Sequence, residues 1–279
     1  MTQRTIKDSV SVEGIGLQTG RKVRLTIKGA PAGAGIRFIR NDLRGSPSVD
    51  IGSLDLGVSV IGFMRRTTIG RGPLQVQTTE HLLAALAGLG VDNALVELDN
   101  EELPGLDGSA AGFVDLIRRS GIVSLEAPKR TLEITKAVKC EKDGASLSAV
   151  PADGFKVSYT MSYPEPELWD QYFSSVIDED VFVRQIAPAR TFCLASEAEK
   201  LLKLGLGKGA DLNNTLVIGK DGPIGSKPRF PDEPVRHKVL DLIGDLYLLG
   251  MQVKAHIVAV KSGHKLNMEL VRKLKSVIT

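Results

Sequence analysis

Two cysteines, Cys140 and Cys193, are all that 279 residues contain. That is too few for a disulfide framework or a cysteine-based zinc site. Long hydrophobic runs are also missing. The longest, LLAALAGLGV (82–91), is about half of what a membrane-spanning helix needs. The opening stretch, MTQRTIKDSVSVEG, has no apolar segment, so no secretory signal is expected. Neither sign of charge dominates: 36 Lys and Arg against 33 Asp and Glu leave a net +3. Such a balance falls short of the dense basic face of a nucleic-acid binder, yet suits an anionic small substrate or an anionic membrane surface. What remains is a cytoplasmic globular protein. At 42% hydrophobic and 25% charged, wholesale disorder is excluded, and the length suits one large or two small domains.

The chain alternates between strand and helix periods. Val23, Leu25 and Ile27 alternate with polar residues in KVRLTIKG (22–29), the period of a half-buried strand, and GIRFIRND (35–42) is a second. Residues 45–72 read as irregular, with short β-prone pieces such as VSVIGF (58–63). EHLLAALAGLG (80–90) predicts a helix ending in glycines, VDNALVELDN (91–100) a strand, and SAAGFVDLIRRSG (109–121) a helix with Asp107 and Ser109 as candidate caps. The polar stretch VSLEAPKR (123–130) reads as a linker. Strands follow at 131–140, 145–152 and 155–163. Then come a short helix running into a glycine-rich loop (196–209), a long helix (235–250), a strand (252–263) and a last helix (267–278). The order repeats: strands, a helix opening near a histidine, a strand, a polar loop, a terminal helix. His81 and His237 lie 156 residues apart; Asp107 follows the first by 26 residues and His264 the second by 27. This predicts a duplicated α+β unit.

Histidine is scarce, with four in all: His81, His237, His256 and His264. His237 and Asp241 stand one helical turn apart, with Asp245 a further turn on; Val239, Leu240, Ile243, Leu246 and Tyr247 fall on the other side. This is either the wet polar face of an amphipathic helix or an imidazole and a carboxylate sharing one metal ion. Glu80–His81 opens its helix, and a Glu beside a metal-binding His can act as a base towards water. The motif is not H-E-x-x-H, because Ala85 stands where the second His would be. His81, His237 and Asp241 would supply three ligands and leave a position open, the pattern of a catalytic zinc site. His264, in KSGHKLN (261–267), suits a general acid, with Asp245 able to orient its ring. His256 reads as structural, as does the Asp107–Gly108 turn. GIGLQTGRKV (14–23) precedes a strand rather than a helix, so it is weak evidence for a phosphate loop.

TTEHLLAALAGLGVDN (78–93), LPGLDGSAAGFV (103–114), ARTF (189–192), VRHKVLDLIGDLYLLG (235–250) and KSGHKLN (261–267) occur in one order. Together they closely resemble the UDP-3-O-acyl-N-acetylglucosamine deacetylases, zinc amidases of lipid A biosynthesis, over nearly the whole chain. The resemblance implies an α+β fold of two similar domains, each a sheet with helices on one face. The helix layers pack together with the active site between them. Residues 1–126 would carry Glu80 and His81, and 127–279 would carry His237, Asp241 and His264. It implies zinc on His81, His237 and Asp241, Glu80 as base, and His264 as acid or charge stabiliser. Lys238 and Asp245 would assist, and Thr191 would bond the oxyanion. Phe192 and Lys261 become substrate contacts. An insert at about 193–230 becomes the acyl-chain passage, lined by Leu194, Leu201, Leu202 and Leu206. The expected substrate is UDP-3-O-acyl-N-acetylglucosamine, and the expected state a monomer.

Two positions depart from the family pattern. Gln18 stands where a His is usual, and Gly105–Leu106 where many relatives have Ile-Met. Neither is a metal ligand, and Gln18 is expected to affect recognition rather than the chemical step. Two other readings remain open on sequence alone: a zinc amidohydrolase for another acylated sugar, and a non-catalytic homologue that binds nucleotide sugars or acyl chains.

Overall fold

The computed structural model describes residues 1–52, 60–61, 65–163 and 170–278. In the first half, the strands are β1 (Thr2–Ile6), β2 (Val10–Ile15), β3 (Lys22–Gly29), β4 (Ile36–Arg40), β5 (Ser48–Asp50), β6 (Val60–Ile61), β7 (Thr68–Ile69), β8 (Val76–Gln77), β9 (Ala94–Leu98) and β10 (Ile122–Pro128). The helices are α1 (Glu80–Gly88), before β9, and α2 (Ala111–Ser120), after it. The second half has β11 (Thr131–Glu133), β12 (Val138–Lys142), β13 (Ala145–Val150), β14 (Phe155–Met161) and β15 (Gln171–Val176), then a single turn α3 (Glu179–Val181). It continues through β16 (Phe192–Leu194), α4 (Ala195–Lys203), β17 (Leu216–Gly219), β18 (Gly222–Ile224), α5 (Glu233–Leu246), β19 (Gln252–Val260) and α6 (His264–Ile278). Apart from Val60–Ile61, the piece 58–63 lies outside the described residues.

The duplication is visible in the strand pairing. One sheet runs β2-β3-β9-β4-β5 and the other β12-β13-β19-β14-β15. Each has its last-arriving strand in the centre, antiparallel to one neighbour and parallel to the other: β9 against β3 and β4, β19 against β13 and β14. Alternation puts Val23, Leu25 and Ile27 of β3, and Val253, Ala255, Ile257 and Ala259 of β19, on the buried face of each sheet. The fold is thus α+β with two similar units. The polar stretch 123–130 is not an extended linker. Most of it lies in β10, which pairs antiparallel with β1 as a two-stranded ribbon.

The central helices carry the site. From Glu80 to Leu86, α1 is buried throughout, as expected of a helix that is apolar on every side. It packs against α5, and at the crossing the two backbones almost touch. A Cβ added at Gly244 would stand 2.0 Å from the carbonyl oxygen of Glu80. This close approach requires glycine. Gly244→Ala must push the helices apart, with a cost of about 1–3 kcal/mol or more. We expect a lower Tm, because the helices must separate at Glu80; a wild-type Tm would refute the close packing. Among the described residues, no helix is long and apolar enough to cross a membrane.

Candidate metal centre and catalytic cavity

His81 sits on the first turn of α1, and His237 and Asp241 lie one turn apart on α5. The crossing brings all three together, with one donor atom from each within 4.8 Å of the others. Nε2 of His237 is 3.3 Å, and Nε2 of His81 3.8 Å, from Oδ1 of Asp241. All three side chains are buried. A wet polar face on α5 is therefore excluded, because α1 covers it.

Protonation follows from the surroundings. Nδ1 of His237 lies 3.0 Å from the carbonyl oxygen of Ala189. A carbonyl only accepts, so Nδ1 carries the proton and Nε2 presents its lone pair. Burial, and next the charge on His237, pushes His81 down to about 3. Burial also lowers His237, against the pull of Asp241. Both rings are therefore neutral near pH 7. Burial works against ionisation of Asp241, but His237, His264 and Lys238 outweigh it and hold its carboxyl below the usual range. A lone pair on His237 thus faces a carboxylate oxygen with no proton between them. Neutral imidazoles plus a carboxylate, with donor atoms as close as 3.3 Å, are the donor set of a three-ligand zinc site. The residues fit a metal.

Beside this triad lies a hydrogen-bonded chain that links His264, Asp245, Thr67 and Glu80. Nδ1 of His264, the first residue of α6, donates to Oδ2 of Asp245 at 2.8 Å. Nδ2 of Asn267 donates to the same oxygen at 2.8 Å, and the hydroxyl of Thr67 donates to Oδ1 at 2.5 Å. Burial alone would lower His264, yet Asp245, Asp241 and Glu80 raise it to about 9. Glu80 goes up to about 8, chiefly because it is buried. Its Oε2 accepts the backbone N–H of Thr67 at 3.0 Å. Thr67 therefore touches both the Glu80 and the Asp245–His264 sides. Sequence reasoning missed it, since it sits in the irregular segment 45–72. Asn267 had a signal, three residues after His264 on the same helical face.

One cavity opens on these groups. It is lined by Thr191, Phe192, His237, Lys238, Asp241 and His264, among others. Lys238 lies 5.7 Å over the Phe192 ring and 4.0 Å from Asp241. Thr191 is fixed through its backbone, donating to Gly108 and accepting from Leu216, at 2.8 Å each. Two further cavities adjoin it. One is apolar and shares Cys193, Leu201, Leu206, Gly207, Ala210 and Thr215 with it; Leu202 lines its outer part. The other is basic, with Arg65, Lys142, Lys238, Lys261 and Lys265. Leu194, expected in the apolar passage, is buried in the core and lines neither of the two former cavities. Along β16 successive side chains alternate, so Cys193 takes the place facing the passage. His256 bonds Ser158 at 2.8 Å on β19, away from the site, and Asp107 pairs with Arg229 at 2.7 Å. Gly105 packs on Leu17, where a Cβ would come within 2.3 Å.

Known proteins match the chain over nearly its whole length. The family described as UDP-3-O-acyl N-acetylglycosamine deacetylase matches residues 3–276. The chain is 45% identical to the UDP-3-O-acyl-N-acetylglucosamine deacetylase of Anaeromyxobacter dehalogenans, over 98% of this chain and 87% of the relative. The protein of that name from Myxococcus xanthus is 43% identical, over 98% and 86%. The one from Trichormus variabilis is 39% identical, over 98% of each chain.

Proposed function

Because the chain belongs to the UDP-3-O-acyl N-acetylglycosamine deacetylase family, we infer that it hydrolyses the N-acetyl group of UDP-3-O-acyl-N-acetylglucosamine, with release of acetate, in lipid A biosynthesis. The observation that carries this reading is the buried triad of His81, His237 and Asp241 beside two groups with displaced proton affinities. We take the ion to be zinc, held by those three residues, and the two similar units to divide near residue 126. We take the reaction to be cytoplasmic, on the ground that its substrate is a nucleotide sugar.

When bound, zinc supplies Lewis acidity, which makes water more acidic and an amide carbonyl more electrophilic. The protein's own groups handle the protons. Glu80, ionised in the working enzyme, takes a proton from the attacking water. A cation on the triad favours that ionised form, opposing the effect of burial. His264 enters as imidazolium, stabilised by Asp245, and gives its proton to the leaving amine. The hydroxyl of Thr191 is the donor for the oxyanion of the tetrahedral intermediate. Lys238 adds positive charge at the same end of the cavity and excludes water together with Phe192.

The adjoining cavities suit the two ends of the substrate. In the basic one, hydrogen bonding and repulsion from Lys142 lower the pKa of Lys265. An anionic diphosphate relieves that crowding of like charges, with Lys261 as a further contact. The apolar cavity suits the acyl chain, with Leu201, Leu202 and Leu206 on its walls. The test compares kcat/KM for the acylated nucleotide sugar with that for UDP-N-acetylglucosamine. A strong preference for the acylated compound is expected; equal turnover of both would point to a different substrate.

Acid–base roles make the rate bell-shaped in pH, rising as Glu80 ionises and falling as His264 loses its proton. Asp245→Asn removes the carboxylate that stabilises the imidazolium, so the His264 pKa falls. The alkaline limb should move to lower pH by about 1–3 units, the usual effect of an adjacent opposite charge. An unmoved limb in kcat/KM profiles would contradict the assignment of His264 as the acid.

A further inference from the structure

Two glycine-rich segments, far apart in sequence, are zipped together at the edge of the apolar cavity. Three successive N–H groups of the insert donate to the loop between β2 and β3. Gly207 bonds Oε1 of Gln18 at 3.0 Å, Lys208 the carbonyl of Gln18 at 3.2 Å, and Gly209 the carbonyl of Leu17 at 3.1 Å. The backbones lie so close that a Cβ on Gly209 would fall 2.3 Å from the carbonyl oxygen of Gly16. Behind the seam stands Glu102, a carboxylate with 1% exposure. It accepts from four neutral donors: the N–H groups of Gln18 and Thr19 at 2.9 and 2.8 Å, and the hydroxyls of Thr19 and Thr78 at 2.7 and 2.8 Å. Thr78 has a φ of 57°, unusual for a β-branched residue, and lies two residues before Glu80. One buried carboxylate thus fixes the Gln18 loop and the entry to α1 together.

The sheet of β16 and β17 ties the rest of the insert to the core through Leu194, Leu216 and Ile218, but the helix that leads into this seam has little buried surface of its own. No residue of α4 is buried, and Leu202 and Leu204 stand 57% and 66% exposed. A segment with so little buried surface takes its position from its anchors. Leu206, Gly207 and Ala210, at or beside the bonds to Gln18, are wall residues of both the catalytic and the apolar cavity.

We propose that Gln18, set in place by Glu102, is a positioning residue that latches the 206–210 wall of the passage and so determines which acyl-chain length the enzyme prefers. This rests on the reading of the apolar cavity as the acyl site. With the latch closed the wall has one position, and chains that do not fill the passage lose contact or clash. With it open the wall yields, and the distinction between chain lengths weakens. A His at this position would place its acceptor nitrogen on a shorter, planar arm and hold the wall elsewhere.

The experiment uses the metal-loaded full chain and two variants. Gln18→Met keeps the length of the side chain and removes the acceptor; Gln18→Glu keeps the acceptor. Hydrogen exchange at the Gly207–Gly209 amides reports the latch without any need for turnover. It should speed up at least about fivefold in Gln18→Met, the factor one neutral hydrogen bond is worth, and stay near wild type in Gln18→Glu. With UDP-3-O-acyl-N-acetylglucosamines of graded chain length, the ratio of kcat/KM for preferred over longer chains should fall by a similar factor in Gln18→Met alone. Unchanged exchange, or an unchanged ratio despite faster exchange, overturns the proposal, as does a Gln18→Glu variant that behaves like Gln18→Met. A wild-type protein that turns over none of the series overturns the functional reading, and the exchange measurement then decides the latch by itself.

Discussion

Glu80→Gln should bind metal as the wild type does and lose about 10²–10⁴-fold in kcat/KM, the weight of a general base. The carboxamide matches the carboxylate in shape and can still accept the N–H of Thr67, so neither His81 nor the start of α1 needs to move. It cannot take a proton from water. Stability provides the control. Because burial raises Glu80 from 4.5 to about 8, the metal-free fold binds a proton that the unfolded chain has released, and loses stability as pH rises through that window. Glu80→Gln has no such group, so its metal-free form should be at least as stable as the wild type near pH 8. A variant that is stable, metal-loaded and still turns over near the wild-type rate would remove Glu80 from the chemistry.

His237→Ala should release the metal and the activity together. The ring contributes one of three donors, and its Nδ1 bond to Ala189 fixes the direction of that donor. Metal affinity should fall by more than the roughly 10–100-fold that follows when only a ligand's hydrogen-bond partner is changed. Alanine suits the middle of α5. The main structural cost is a carbonyl at Ala189 left without its donor, about 1–3 kcal/mol. The variant should therefore fold, with a lower Tm, and be isolated without metal. Full metal occupancy in a folded His237→Ala protein would exclude His237 as a ligand.

The periodic parts of the chain were legible and the edges were not. β3, β19, α1 and α5 announce themselves because each buries a face or a whole circumference, which imposes a period on the sequence. The repeat of strand and helix around His81 and His237 likewise shows in the sequence, and the two sheets have the matching order. The stretch 123–130 reads as a linker because every residue of β10 is half-buried or exposed, so no buried face imposes a period on it. His264 fell one helix boundary away from its place, in an expected loop rather than at the first position of α6. The candidate triad of His81, His237 and Asp241 shows in spacing and motif together. Thr67 does not, since its role depends on a fold that returns segment 65–69 to the start of α1. Gln18 was expected to touch substrate; its amide oxygen bonds Gly207, a contact between residues 189 positions apart that no local pattern encodes.

The substrate contains both an amide, to the acetyl group, and an ester, to the acyl chain, and either could in principle be cut. The central claim concerns the amide. Incubating metal-loaded wild-type protein with UDP-3-O-acyl-N-acetylglucosamine and identifying the products by mass therefore tests it most directly. The account predicts acetate and UDP-3-O-acyl-glucosamine in equal amounts, with the acyl chain retained. Free fatty acid with the N-acetyl group intact, or no reaction, would contradict it.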